Sequence, residues 1–112
     1  MSEYKELSPK LHAREHETWT QYWFYCPACG ETHHYNGLKM NGEPLLWEFN
    51  GNVEKPSFTP SLRITGVHRE TGQPSCCHLY VTDGAIHFCG DCSHGMSGQT
   101  VPMVDMPRTE SI

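Results

Sequence analysis

Apolar and polar residues along the chain fall into short alternating runs separated by glycine and proline. The pattern predicts strands rather than helices. Residues 19–25 (WTQYWFY) form an aromatic run that reads as a strand ending at Cys26. Residues 30–44 are loop-like, broken by Gly30, Gly37, Asn41-Gly42 and Pro44. Leu45–Phe49 reads as a second strand, closed by the turn signal Asn50-Gly51. The following EKPSFTPS holds two prolines that cannot donate to a ladder, so an extended path at an edge or across an end of the sheet is expected. Leu62–Val67 is a third strand, followed by a polar loop at 68–75. Residues 1–18 lack a sustained apolar stripe and predict either a short helix over 8–17, with Pro9 in its first turn, or a loose arm.

The sharpest local signal is a hairpin. Cys77–Thr82 and Ala85–Cys89 flank Asp83-Gly84, a dipeptide suited to the positive φ angles of a two-residue turn. That turn sets Thr82 against Ala85, Leu79 against Phe88 and His78 against Cys89. Side chains alternate along a strand. Cys77, Leu79, Val81, Ile86 and Phe88 therefore share one face, with Cys92 just beyond it. His78, Tyr80, His87 and Cys89 share the other. The first face is apolar and is expected to look inward. The resulting fold class is mainly β, a small antiparallel sheet or sandwich. Its expected organisation is a polar N-terminal arm (1–18), a β domain (19–101) and a C-terminal tail (102–112).

Composition adds chemistry to this frame. The formal charge is −5 and the eight lysines and arginines are scattered, which disfavours a broad phosphate-binding face and hence nucleic acid. The chain shows no secretory leader and no apolar run long enough to cross a bilayer, so it reads as soluble and reducing-compartment. Six cysteines in that setting read as metal ligands, and Cys26-Pro-Ala-Cys29-Gly has the form of a zinc knuckle, as in rubredoxin-like and zinc-ribbon sites. Zinc asks for four donors. Cys89-Gly-Asp-Cys92 offers a second knuckle, whereas hairpin parity places Cys77 and Cys92 together and turns Cys89 away. The expected set is Cys26, Cys29, Cys77 and Cys92 around Zn2+, with His33, His78, Cys89 and His94 in reserve. Cys76 reads as a bystander, and Trp19, Trp23 and Trp47 as core or near-core residues.

His78, Asp91 and His94 form the candidate catalytic group if the chain is an enzyme, because an aspartate beside histidines orients imidazoles and an open metal position makes a reactive hydroxide. The blander reading is that these histidines brace the zinc loops.

The series CPACGETHH, WEFNGNVEKPSFTPSL and CHLYVTDGAIHFCGDCSHGMSGQTV resembles an uncharacterised family of small phage and prophage proteins. Some members carry the label ammonia monooxygenase, which a chain without a membrane span does not support. The resemblance covers about Cys26 to Val101. It implies functional weight at Cys26, Cys29, His33, Cys77, His78, Asp91, Cys92 and His94, and a phage context in the host cytoplasm or the virion. The leading expectation is a zinc-supported accessory protein that binds a phage or host protein. The alternatives are a metal-dependent hydrolase and a nucleic-acid-binding zinc ribbon.

Overall fold

In the computed structural model, which describes residues 4–39 and 47–107, the chain is mainly β, and no helix occurs among those residues. Nine strands run in chain order: β1 (Tyr4–Ser8), β2 (Leu11–Glu15), β3 (Trp19–Cys26), β4 (Glu31–Lys39), β5 (Glu48–Phe49), β6 (Phe58–Val67), β7 (Pro74–Thr82), β8 (Ala85–Phe88) and β9 (Thr100–Pro102). They make two antiparallel sheets, β1-β2-β3-β4 and β5-β6-β7-β8-β9, each strand pairing with its sequence neighbour.

The sheets bury their inward faces against each other. Leu11, Ala13, Tyr22, Phe24 and Tyr35 come from the first; Phe58, Leu62, Leu79, Val81, Ile86 and Phe88 come from the second. Phe58 is the joint: its ring stacks on Tyr35 at 4.3 Å and tilts against Tyr22 at 5.6 Å. Burying each such aromatic contributes about 1.5–3 kcal/mol, so this seam holds the two sheets together.

The β7–β8 hairpin has the register expected from Asp83-Gly84: Leu79 faces Phe88, Val81 faces Ile86 and Thr82 faces Ala85. Both turn residues have positive φ, 49° at Asp83 and 77° at Gly84. Gly84 is also tightly packed, since a Cβ there would come within 3.3 Å of the Lys55 backbone. The Asn50–Ser57 loop thus packs on the turn. Asn50 Oδ1 accepts from Asn52 N and Ser57 N, and Asn52 Oδ1 accepts from Glu54 N and Lys55 N. Ser57 Oγ then accepts from Asp83 N at 2.8 Å, fixing the entry to β6.

Three segments differ from the sequence reading. Residues 4–15 are a strand hairpin rather than a helix or loose arm, because Leu11 and Ala13 alternate into the core and β2 pairs with β3. Residues 31–39 are strand β4 rather than loop. Its polar outward residues hide the alternation, while His33 and Tyr35 point inward. The EKPSFTPS stretch does not stay at an edge: from Phe58 it is part of β6, between β5 and β7; Pro60 is accommodated where the register shifts between Phe58 and Leu62, and Pro56 precedes the strand. The chain end is also less separate than a tail, since Met103 is buried and Met106 N donates to Pro9 O. The Leu45-Leu46 half of the second expected strand, the Asn41-Gly42 turn and residues 108–112 lie outside the described residues.

Candidate active site and metal centre

Strand β7 carries two adjacent residues with opposite destinations. Cys77 points into the core, 4% exposed, while its neighbour His78 points to the outer face of the second sheet. Each anchors a distinct cluster.

On the inner side, Cys26, Cys29, His33 and Cys77 bring their donor atoms within 4.8 Å of one another. The Cys26 and Cys77 sulfurs are 4.0 Å apart, close to the spacing of two thiolates on one tetrahedral ion. The knuckle turns back at Gly30, whose N–H donates to Cys26 O. This starts β4 with Glu31 opposite Cys26, so that inward parity falls on His33. His33 Nε2 is buried without a hydrogen-bond partner, an arrangement that costs about 1–3 kcal/mol unless something binds the nitrogen. The thiols point the same way. The hydrogen bond from Cys77 pulls Cys26 down to about 4, whereas burial and the neighbouring sulfur push Cys29 up to about 11, and Cys77 is also pushed up. The protein atoms alone favour a single thiolate here; a divalent cation would let all three ionise. Three thiols and an imidazole thus fit a metal of the soft, tetrahedral kind.

Cys92, expected in this set, is elsewhere. Its thiol donates to His78 O at 3.1 Å and lies 3.3 Å from His78 N, bracing the β7 backbone. The fourth donor is His33, because β4 returns directly over the knuckle and reaches the cluster first. Cys76 is not among the clustered donors, and no disulfide links any of the six cysteines. Of the tryptophans, Trp47 packs against the core; Trp19 stacks on His16 and Trp23 lies against His34, both partly buried.

On the outer side, His78 lies between Ser61 and Asp91. Ser61 Oγ is 3.0 Å from His78 Nε2, and His78 Nδ1 is 3.0 and 3.1 Å from the two Asp91 carboxylate oxygens. With a proton on Nδ1 donated to Asp91, Nε2 is left to accept the Ser61 hydroxyl hydrogen. Burial alone would raise the Asp91 carboxyl, but the His78 hydrogen bond, a backbone hydrogen bond and the charges of His78 and Arg63 together outweigh it and hold the group below its ordinary value. Asp91 therefore stays an anion that fixes the imidazole tautomer. Ser61 itself is held from behind, its carbonyl accepting from Trp47 Nε1 at 3.0 Å. It lies within the shifted register of β6, just ahead of Leu62 opposite Leu79.

Of the expected catalytic group, then, His78 and Asp91 meet and His94 does not join them. The His94 ring packs edge-on against Phe88, and its Nδ1 accepts from Met96 N. Ser61 escapes the sequence reading altogether: it belongs to no G-x-S-x-G elbow. The available signal was parity, since Ser61 and Arg63 share a face and Arg63 stands opposite His78.

A serine, an imidazole and a carboxylate in this order of contacts make the constellation that serine hydrolases use, recognised by geometry and not by sequence position. The chain belongs to the family described as bacterial ubiquitination-like system serine protease (BubE), which matches residues 2–89. Ser61, His78 and all four members of the inner cluster lie inside that segment, and Asp91 lies just beyond it. The phage context expected from resemblance has no part in this description, which names a bacterial ubiquitination-like system. No curated protein and no solved structure matches the chain. No helix among the described residues is long and apolar enough to cross a membrane.

Proposed function

We propose that this chain is a serine peptidase whose nucleophile is Ser61, whose general base is His78 and whose orienting carboxylate is Asp91. The observation that carries the reading is the continuous contact from Ser61 Oγ through both ring nitrogens of His78 to Asp91. As Ser61 Oγ attacks a carbonyl carbon, its proton passes to His78 Nε2, and the imidazolium is stabilised by Asp91. His78 then gives that proton to the departing amine or alcohol. Water, deprotonated by the same nitrogen, releases the acyl group and restores the serine.

The inner cluster is proposed to hold Zn2+ through Cys26, Cys29, His33 and Cys77. Four protein donors close the coordination sphere, which suits support rather than catalysis. When bound, the ion ties the β3–β4 knuckle to β7, and so fixes the backbone from which His78 projects. This reading replaces a metal-bound hydroxide as the nucleophile, because Ser61 already occupies the position facing Nε2.

The family description supports a substrate within a ubiquitination-like system: a ubiquitin-like protein joined through its C-terminal carbonyl to a peptide or another protein, which is also the protein partner. The test uses such a protein extended by a short C-terminal peptide, with intact mass as the readout. Wild type is expected to remove the extension and Ser61→Ala to leave it. Cleavage that survives Ser61→Ala would contradict the assignment.

A further inference from the structure

Cys89 has no part in either cluster as described, yet it lies where it can join the outer one. Its thiol, an Asp91 carboxylate oxygen and a His78 ring nitrogen all fall within 4.8 Å of one another. Hairpin parity explains this: Cys89 N donates to His78 O across the β7–β8 ladder, so the two side chains share the outer face. Asp91 follows two residues later and folds back onto His78. The Nδ1–carboxylate distances of 3.0 and 3.1 Å are already close to those between neighbouring donors on one zinc ion, whose bonds run about 2.0–2.3 Å. This trio is partly open to solvent, leaving room for water as a fourth ligand.

We infer that His78, Cys89 and Asp91 form a second, exchangeable site for a thiophilic divalent metal such as Zn2+, and that its occupation switches the Ser61 hydrolase off. The switching half rests on the serine-peptidase reading; the metal site does not. The proton balance shows why binding is inhibitory. The metal takes the place of the hydrogen on Nδ1, and the Cys89 thiol proton goes to solvent. The imidazole remains neutral only by carrying its hydrogen on Nε2. There it points at Ser61 Oγ as a donor, so the nitrogen that should take the serine proton has no lone pair to offer. Asp91, now a ligand, no longer orients the ring for catalysis. No oxidant or further reactant is needed, and removal of the metal restores the original tautomer.

The test starts with chain whose inner cluster is filled with one equivalent of Zn2+, and adds Co2+, which by the usual divalent order does not displace it. A second equivalent is expected to bind with a thiolate-to-cobalt charge-transfer band. Hydrolysis of the peptide-extended substrate should fall in proportion to that band and return on brief chelation. Cys89→Ala should abolish the band and the inhibition while leaving metal-free hydrolysis unchanged. The loss should exceed the about 10- to 100-fold typical of removing an outer-shell partner. Cys76→Ala should retain both, and Ser61→Ala should retain the band. No second equivalent in wild type, or a band and inhibition that persist in Cys89→Ala, would overturn the proposal. So would a Cys89-dependent band that leaves hydrolysis at full rate. A chain that binds the second metal through Cys89 but hydrolyses nothing, even metal-free, would support the site and overturn the peptidase reading instead.

Discussion

The two sides of strand β7 do different work with nearly the same chemistry. Cys77 faces inward to a set of three sulfurs and an imidazole at the seam between the sheets, while His78 faces outward to a serine and a carboxylate in reach of solvent. The inner set joins β3, β4 and β7, segments 51 residues apart at Cys26 and Cys77. Its energy belongs to folding. The outer set spans β6, β7 and the loop after β8, joined by one Ser61–His78 contact and one shared contact from His78 Nδ1 to both Asp91 oxygens near the surface. On the proposed reading, one peptide bond separates a metal support from a catalytic triad.

The largest expected effect comes from breaking the inner side. Structural zinc contributes about 10–16 kcal/mol in small metal domains, comparable with or larger than the about 5–15 kcal/mol by which a domain is stable. Cys26→Ser or Cys77→Ser should therefore lose bound metal, the cooperative melt and hydrolysis together, as read by elemental analysis and circular dichroism. A variant that keeps a sharp melt without metal would collapse the distinction between the two sides.

Breaking the outer side should separate the effects. Ser61→Ala is expected to lower the hydrolysis rate by about 10^6-fold and Asp91→Asn by about 10^4-fold, while both keep one metal per chain and melt close to wild type. The Asp91 contact also has a pH signature. Its carboxyl is held below the ordinary value of about 3.9, chiefly by the His78 hydrogen bond against the opposing effect of burial. A lowered carboxylate contributes stability that is present above the ordinary value and is lost as pH falls through the lowered one. The melting difference between wild type and Asp91→Asn should persist as pH falls to about 4 and vanish below.

The smallest effect tests the bracing of the nucleophile. Trp47→Phe removes the Nε1 donor to Ser61 O, a bond of about 0.5–1.5 kcal/mol, and should slow hydrolysis a few-fold while preserving the melt. An unchanged rate would show that β6 alone holds Ser61.

These two sides were unequally legible in the sequence. Local signals carried the hairpin: Asp83-Gly84 dictates the register, and with it the opposite faces of Cys77 and His78 and the shared face of His78 and Cys89. Cys26 and Cys29 were legible from their spacing. His33 stood only in reserve because a short polar strand such as Thr32–Asn36 shows no apolar alternation until β3 pairs with it. Parity pointed to Cys92, but Cys92 sits in the loop after β8 and bonds the β7 backbone at His78 instead of joining the cluster. Ser61 was hidden for a different reason. Its approach to His78 depends on the β6–β7 register, which shifts between Phe58 and Leu62, and no short-range pattern encodes where such a shift falls. A serine beside Pro60 reads only as extended backbone until the strand beside it is known.

The central claim is that Ser61 is activated by His78. It is tested most directly by a fluorophosphonate probe, which captures a serine only when its hydroxyl is made nucleophilic, applied to folded protein carrying one equivalent of Zn2+ in the inner cluster and read by peptide mass. The structure predicts stoichiometric labelling on Ser61 in wild type, none in Ser61→Ala and near-complete loss in His78→Ala, with metal content equal in all three. Absence of labelling in folded wild type, or labelling of Ser61 that is undiminished in His78→Ala, would contradict it.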